Sequence, residues 1–582
     1  MFPLHDPLDE TLRDELSQHD DLTAALLARR GILTKEDAEA FLNPSYDEHL
    51  HDPLLMTDMR KAARRFADAI ISGEKIAVWS DYDCDGIPGG TLLHDFLKKA
   101  GADFENYIPH RHLEGYGMNE GGIEQLAKRG VKLIVTVDSG ITDVAPVALA
   151  KELGMDVIIT DHHLPLEEGL PDAFAVVNPH ARADEPYPFH ELCGSGVAWK
   201  LVVATLTVEP SLREPRQGRG EKIPEGWEKW LLDMVGLATI ADMVALTGEN
   251  RVLATYGLLV MRKSPRIGLQ KLCRGMRTEM RTITEDDVGF MIAPRVNAAS
   301  RMGDAIDAFH LFTTDDEDVA DTLAKKLEKA NRSRKAEAGA ITRAVHARLK
   351  ERTEMRSVIT LGDPEWRPAL LGLVANTIAD EYERPVFLWG REGNLRLKGS
   401  MRSGGNTHAL ELMRATENTF EDFGGHAAAG GFTVLDDAVF FLEDRLVGAH
   451  AKLKVADDDS LANHADAVIT VEEATLAFLK KIEKLAPYGM QNPKPVFLLR
   501  EISVRDMSRF GKNEEHLKMK LSSSDESRAT IDAVAFFAKG ALARTAESLG
   551  KGSRANVLAH LERDAFSRGA PVRLRLLDIR VA

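Results

Sequence analysis

The chain has 582 residues, 44% of them hydrophobic and 28% charged, which supports several cores, roughly three or four domains, and argues against a largely disordered polymer. A formal net charge of −17 does not advertise a nucleic-acid binder, although a sum over the chain hides local fields, and carboxylates gathered to hold cations add to that total. Cys84, Cys193 and Cys273 form neither a disulfide framework nor a CxxC knuckle, the acidic N-terminus lacks a signal-peptide pattern, and no apolar run nears the ~20 residues of a membrane span. The expectation is a soluble, cytoplasmic protein without a membrane partner.

In chain order, residues 1–51 read as a helical region with no chemical motif. Residues 52–320 follow as an α/β domain. KIAVWS, KLIVTV and DVIIT are continuous β-branched runs bounded by polar turns, as buried parallel strands are, and glycine-closed amphipathic stretches lie between them. Alternation of strand and helix predicts a doubly wound parallel sheet. A charged, proline-free stretch with helical spacing predicts a long helix over 321–355, read as a connection between domains, with a solvated surface helix of the first domain fitting the pattern equally. A smaller α/β domain occupies 356–455, and short strands with intervening turns over 465–582 predict an OB-like β-barrel.

Three of the apolar strands end in acidic or imidazole side chains. The first gives Asp81, Asp83 and Asp85 in SDYDCDG, expected to share one face of an extended segment. The second gives Asp138 in VDSG, and the third gives Asp161, His162 and His163. Sites in open parallel sheets form outside the carboxyl ends of the strands, so these residues converge at one edge. That many carboxylates repel one another unless cations neutralise them, and oxygen and imidazole donors without thiolates suit Mn²⁺ or Mg²⁺. Two such ions are the expected cofactors, clamping an in-line displacement at phosphorus. Asp233 and Asp242 in WLLDMVGLATIADMVAL are further candidates; spacing alone does not choose between them.

The ordered set DYDCDG, IPHRHLEGYG, VDSG, DHH, LCGSGVAWKL, LDMVGLATIADMV, APRVNAASRM, KGSMRS, GGHAAAGG and PYGMQNPKPVF resembles the DHH phosphoesterase superfamily, and within it the RecJ single-strand exonucleases. The resemblance implies Asp83, Asp85, Asp138, His162 and Asp233 as metal ligands. It implies Asp81 and Asp161 as ligands or orienting groups, and His163 as a contact to the scissile phosphate. The implied reaction is 5′→3′ hydrolysis of single-stranded DNA to 5′-mononucleotides, in DNA repair and recombination, with single-strand-binding protein and a helicase as partners.

Arg111, Arg295 and Arg301 sit among glycines and small residues, where a guanidinium can grip phosphate in bidentate fashion; Asn297 lies in the same motif as the latter two. By composition the small residues of GGHAAAGG, with Gly424, Gly425 and His426, read as a structural turn; the resemblance implies instead a helix start whose N–H groups bind an anion. By resemblance, Ser400, Arg402 and Ser403 help to hold the 5′ phosphate. The basic stretch from Met261 to Arg281 reads equally as a solvated face or a backbone track. Phe510, Phe536 and Phe537 are stacking candidates, with a core position the commoner reading.

Several positions depart from the usual RecJ texture: Pro88 and Gly89, Ser300, and Arg367 with Ala369. None removes an implied ligand. Competing readings are a related phosphodiesterase acting on oligoribonucleotides or cyclic dinucleotides, a pyrophosphatase of the superfamily, and a non-catalytic single-strand-binding scaffold.

Overall fold

The structure, a computed structural model, describes all residues except 1, 216–217, 392–395, 405–406, 454–463, 512–513, 525–526, 539 and 565–571, and is silent on the side chains of 540–541. The chain divides into two compact units, one of residues 1–300, 304–328 and 463–582, the other of 301–303 and 329–462.

The first unit is built on a parallel sheet of β1 (Lys75–Ser80), β2 (Asp103–Tyr107), β3 (Leu133–Val137), β4 (Asp156–Thr160) and β5 (Ala175–Val177), in the order β2-β1-β3-β4-β5. The strand order reverses between β1 and β3, which opens a crevice at their carboxyl ends. β1, β3 and β4 are almost wholly buried, as continuous apolar strands covered on both faces must be. Helices Met59–Ser72, Gly86–Ala100, Gly194–Val208 and Leu232–Ala241 bury one face. Helices Glu120–Lys128 and Val144–Glu152 bury the other. Inside the first layer, Lys200 Nζ lies 2.6 Å from Glu249 Oε1 and donates to the His51 carbonyl, tying the chain entering the domain to the helix of residues 194–208.

The C-terminal strands are β11 (Ala467–Val468), β12 (Phe497–Phe510), β13 (His516–Ser522), β14 (Ile531–Ala535), β15 (Arg554–Arg563) and β16 (Val572–Val581). They run in the order β11-β12-β13-β14-β16-β15, and pairing of β12 with β15 closes a five-stranded barrel, as the OB-like reading expects. The core of that barrel is shared. Leu16, Leu26, Leu27, Ile32 and Phe41, from three N-terminal helices (Glu10–Glu15, Asp21–Ala28, Lys35–Leu42) and the turns after them, belong to one apolar cluster with Phe497, Leu517, Val557 and Leu574. Arg251 seals the junction, donating to the carbonyls of Phe41, Leu485 and Ala486 with its guanidinium over the Phe41 ring. The N-terminal region is thus a structural partner of the barrel.

The second unit carries a mixed sheet of β6 (Ile359–Gly362), β7 (Val386–Gly390), β8 (Leu397–Arg402), β9 (Phe420–Gly425) and β10 (Ala429–Val434), ordered β6-β7-β8-β10-β9. The connecting helix spans Glu317–Lys350, beginning four residues earlier than its expected start at 321. Among the described residues, no helix is long and apolar enough to cross a membrane.

Candidate metal centre

Residues 81–85 are not the extended segment that alternation predicts; they turn into the helix that follows β1. Asp83 makes this turn, its Oδ1 accepting from the amides of Asp85 at 2.8 Å and Gly86 at 3.2 Å. Aspartate competes well for local backbone donors, and here that preference overrides strand continuation. The turn brings Asp85 to the start of the helix of residues 194–208, where it accepts from the amides of Gly194 (2.6 Å) and Ser195 (2.7 Å). A carboxylate at a helix N-terminus completes orphan donors and meets the favourable end of the dipole. Glycine is obligatory at 194, since a Cβ there would lie 2.7 Å from the Asp138 Cβ. Gly89, one of the departures from RecJ texture, has a similar reason: a Cβ would come within 2.4 Å of Val137 Cγ1.

Asp138 follows β3 in the left-handed region, with φ of 59°, a strained setting for an aspartate that aims its carboxylate into the crevice. His162 Nε2 lies 3.2 Å from Asp138 Oδ1, 3.7 Å from Asp85 Oδ2 and 3.7 Å from Asp242 Oδ2. Donor atoms converge in three overlapping sets: Asp85, His162 and Asp242; Asp81, Asp83 and Asp138; and Asp138, His162 and His163. Burial pushes the carboxyls of Asp81, Asp138 and Asp242 well above the ordinary range, and neighbouring carboxylates push them further. Asp81 Oδ1, Asp138 Oδ1 and His162 Nε2 are buried without a hydrogen-bond partner. Buried polar atoms are normally satisfied, and a run of exceptions in one cluster marks donors suited to holding cations. The donors fit divalent ions: hard oxygens and one or two imidazoles, with no thiolate.

Asp161 plays a different part. Its Oδ1 accepts from the amides of His162 and His163 and from His163 Nδ1 at 2.8 Å, and its Oδ2 accepts from the Ile141 amide. With both oxygens engaged, it orients His163. Burial opposes its ionisation, yet the hydrogen bond and charge of His163 outweigh that and hold it below its usual range. Burial lowers His163 and the bond to Asp161 raises it, with a net upward shift. Tyr116 OH bridges the Asp138 carbonyl (3.0 Å) and His163 Nδ1 (3.1 Å), and Asn178 donates to the His163 carbonyl. Neither residue was singled out from the sequence, although Tyr116 lies within the quoted HLEGYG motif.

Asp233 is not placed with these donors. Its Oδ2 accepts from Ser264 Oγ at 2.6 Å and Arg266 Nε at 2.8 Å, and Arg266 also pairs with Asp95. Asp233 and Asp242 stand nine residues apart, about 13 Å along the axis and on opposite faces of one helix, so they serve different ends of it. In the structure the carboxylate that joins the convergent donors is that of Asp242, where the expectation fell on Asp233.

Arg295 is likewise engaged with protein groups, 2.7 Å from Glu328 and donating to the Met291 carbonyl, a structural pairing where a phosphate contact is expected. Asn297 Oδ1 accepts from the Cys84 amide at 2.9 Å and so fixes the carboxylate turn. Arg111 stacks over the Tyr82 ring at 4.7 Å, beside the carboxylates. Much of the basic stretch is structural: Arg262 donates to the Ile283 carbonyl, Arg266 holds Asp233, and Lys271 pairs with Glu317.

In the second unit GGHAAAGG forms a hairpin instead of a helix start. Gly424 and Gly425 end β9, exposed His426 lies in the turn, and the Ser403 amide donates to the Ala428 carbonyl. Arg301 donates to the Ala369 carbonyl, and Arg367 lies 3.6 Å from Glu337. Arg402 ends β8 with Ser400 two residues before it, and its only described hydrogen bond is to the Met401 carbonyl. Gly372 leaves room for it, since a Cβ there would lie 2.7 Å from its Nη2. In the barrel, Phe510, Phe536 and Phe537 are 37%, 38% and 66% exposed around His516, so the core reading of these rings is corrected.

A parallel sheet bearing these strand-end carboxylates and imidazoles defines a DHH-type domain, and residues 75–239 match the model of the DHH family, N-terminal domain. Residues 355–446 match the DHHA1 domain and 465–578 the RecJ OB domain. The chain is 34% identical over 562 residues to the single-stranded-DNA-specific exonuclease RecJ of Bacillus subtilis (strain 168), covering 96% of this chain and 68% of that one. It is 32% identical over 458 residues to that of Escherichia coli (strain K12), covering 76% and 78%. The crystal structure of RecJ in complex with Mn²⁺ from Thermus thermophilus superposes with a TM-score of 0.80 at 27% identity, covering all of this chain and 79% of the other. This chain belongs to the RecJ family.

Proposed function

We infer that the protein is a metal-dependent exonuclease that degrades single-stranded DNA 5′→3′ to mononucleotides. One observation carries the reading: Asp81 Oδ1, Asp138 Oδ1 and His162 Nε2, buried together without partners, at the β1/β3 reversal of a chain that matches RecJ along nearly all its length. When bound, two divalent ions, Mn²⁺ or Mg²⁺, held by Asp81, Asp83, Asp85, Asp138, His162 and Asp242, stabilise charge on the phosphate oxygens and acidify the attacking water.

The protein's own groups do the rest. Asp161 fixes the ring of His163, leaving its Nε2 to face the phosphate or the departing oxygen. Asn297 and the amides of Gly194 and Ser195 hold the carboxylate turn rigid, so that little reorganisation accompanies reaction. Arg111 supplies a cation for a substrate phosphate. In the second unit, burial lowers the pKa of Arg402 and no described carboxylate neutralises it, which suits an anion such as a 5′-terminal phosphate; Ser400, Ser403 and the Gly424–His426 turn contribute donors on the same sheet. The exposed phenylalanines around His516 offer stacking faces to unpaired bases. A cytoplasmic setting and association with single-strand-binding protein and a helicase accord with that role.

The test is digestion of single-stranded DNA labelled at either end, in Mn²⁺, Mg²⁺ or chelator, beside Asp138→Ala. Metal-dependent release of mononucleotides from the 5′ end, absent in the variant, is expected. Turnover of short RNA or cyclic dinucleotides in its place would overturn the substrate assignment.

A further inference from the structure

The helix Met59–Ser72, sequence MRKAARRFADAIIS, carries Arg60, Lys61, Arg64 and Arg65 within six positions of a chain whose net charge is −17. Arg65 is accounted for, paired at 2.7 Å with both Glu74 and Asp156. Arg60, Lys61 and Arg64 are exposed, and among the described residues no carboxylate pairs with them. Arg60 and Arg64 stand at i and i+4, where like charges repel and cost helix stability. These cations rim a cavity of about 680 Å³ whose apolar lining includes Leu54, Leu55 and Phe174; Leu55 is 45% exposed and Lys61 lies over the Phe174 ring at 4.6 Å.

The place of this cavity in the fold matters as much as its chemistry. Arg65 reaches Asp156, the first residue of β4, and Phe174 immediately precedes β5. The cavity is therefore at the amino ends of the strands. The metal centre is at their carboxyl ends, a strand length of about 15 Å away. A ligand here does not compete with substrate.

We propose that this cavity docks an acidic peptide of a partner protein that inserts one apolar side chain between Leu55 and Phe174 while its carboxylates meet Arg60, Lys61 and Arg64. A nucleic-acid backbone fits less well, because Asp58 and Asp68 interrupt the lining and break any continuous phosphate track. Apolar anchoring within a charged rim is the pattern of protein recognition, with the rim setting salt dependence and the anchor setting residence.

The test is fluorescence anisotropy of the full chain with a labelled, glutamate-rich decapeptide bearing one central phenylalanine, at low and high salt. Saturable binding is expected, weakened about tenfold in Arg60→Glu/Arg64→Glu, in Leu55→Asp, and when the peptide phenylalanine becomes serine. Exonuclease rates of both variants on free single-stranded DNA should stay at the wild-type level, which also shows that they fold. Absence of saturable binding at low salt, or binding indifferent to Leu55→Asp and to the peptide phenylalanine, would overturn the proposal. So would displacement of the peptide by an oligothymidylate whose own affinity falls in Arg60→Glu/Arg64→Glu, which would make the surface a nucleic-acid track.

Discussion

The Nε2 atom of His162 lies 3.2 Å from Oδ1 of Asp138, and both atoms are buried without a hydrogen bond. Two unsatisfied atoms held this close, ringed by Asp81, Asp83, Asp85 and Asp242, are destabilising in a metal-free protein and become ligands in a loaded one. Mn²⁺ should therefore raise the unfolding temperature, by the equivalent of about 2.7 kcal/mol at a hundredfold excess over Kd. In chelator, Asp138→Asn should melt higher than wild type, and it should gain little from Mn²⁺. Thermal melts of both proteins with and without metal decide this; a wild type indifferent to Mn²⁺ would refute it.

Asp161 accepts hydrogen bonds from the two amides and the ring that follow it, and it commits none of its oxygens to the ligand cluster. Asp161→Asn keeps the shape but loses the charge that holds His163 Nδ1–H. Its kcat should fall by up to about 10⁴, the loss that follows when the carboxylate orienting a catalytic imidazole is neutralised. Metal affinity, read by calorimetry, should change far less than in Asp138→Ala.

Asp233 and Asp242 occupy the two ends of one helix and should fail differently. Asp242→Ala should abolish activity and weaken metal binding, while its stability in chelator is kept or improved by removal of a crowded carboxylate. Asp233→Ala leaves the buried Arg266 guanidinium with Asp95 as its one described carboxylate beside the Phe312 carbonyl, and should cost about 3–5 kcal/mol in urea unfolding while the residual folded fraction still binds metal.

Asp143 gives a pH signature away from the ligands. It accepts from the Met118 amide at 2.7 Å, and burial raises its carboxyl from 3.8 to about 6. The fold thus favours its protonated form. Between pH 4 and 6 the folded state holds a proton that the unfolded state has released, so stability falls as pH rises and the penalty is complete above about 6. In chelator, Asp143→Asn should gain on the order of 2 kcal/mol over wild type at pH 7.5 and nothing near pH 4. Parallel melts across that range check the sign.

The parallel core was legible because its strands carry unbroken β-branched runs: KIAVWS, KLIVTV and DVIIT lie on β1, β3 and β4. The convergence of Asp81–Asp85, Asp138 and His162–His163 followed from strand polarity alone. What escaped depended on partners far along the chain or on competition between local conformations. Nothing near Arg295 announces Glu328, thirty-three residues on, and nothing near Asp233 announces Ser264 and Arg266. GGHAAAGG lacks side chains that could mark an amphipathic face, so its alanines suggested a helix where sheet pairing with β8 decides the outcome. The N-terminal helices showed apolar residues but not whose core they complete.

That shared core orders events in time. Leu26, Leu27 and Phe41 leave the ribosome roughly 450–550 residues before the barrel strands that bury them, a delay of about 20–110 s at 5–20 residues per second. Through that interval the nascent chain exposes a sticky apolar surface, because the catalytic domain, completed in sequence partway through it, does not supply the strands that cover those residues. Biogenesis should accordingly lean on holding factors more than the stability of the finished enzyme suggests, and circular permutants that make residues 1–51 contiguous with the barrel should reach the native state faster and aggregate less.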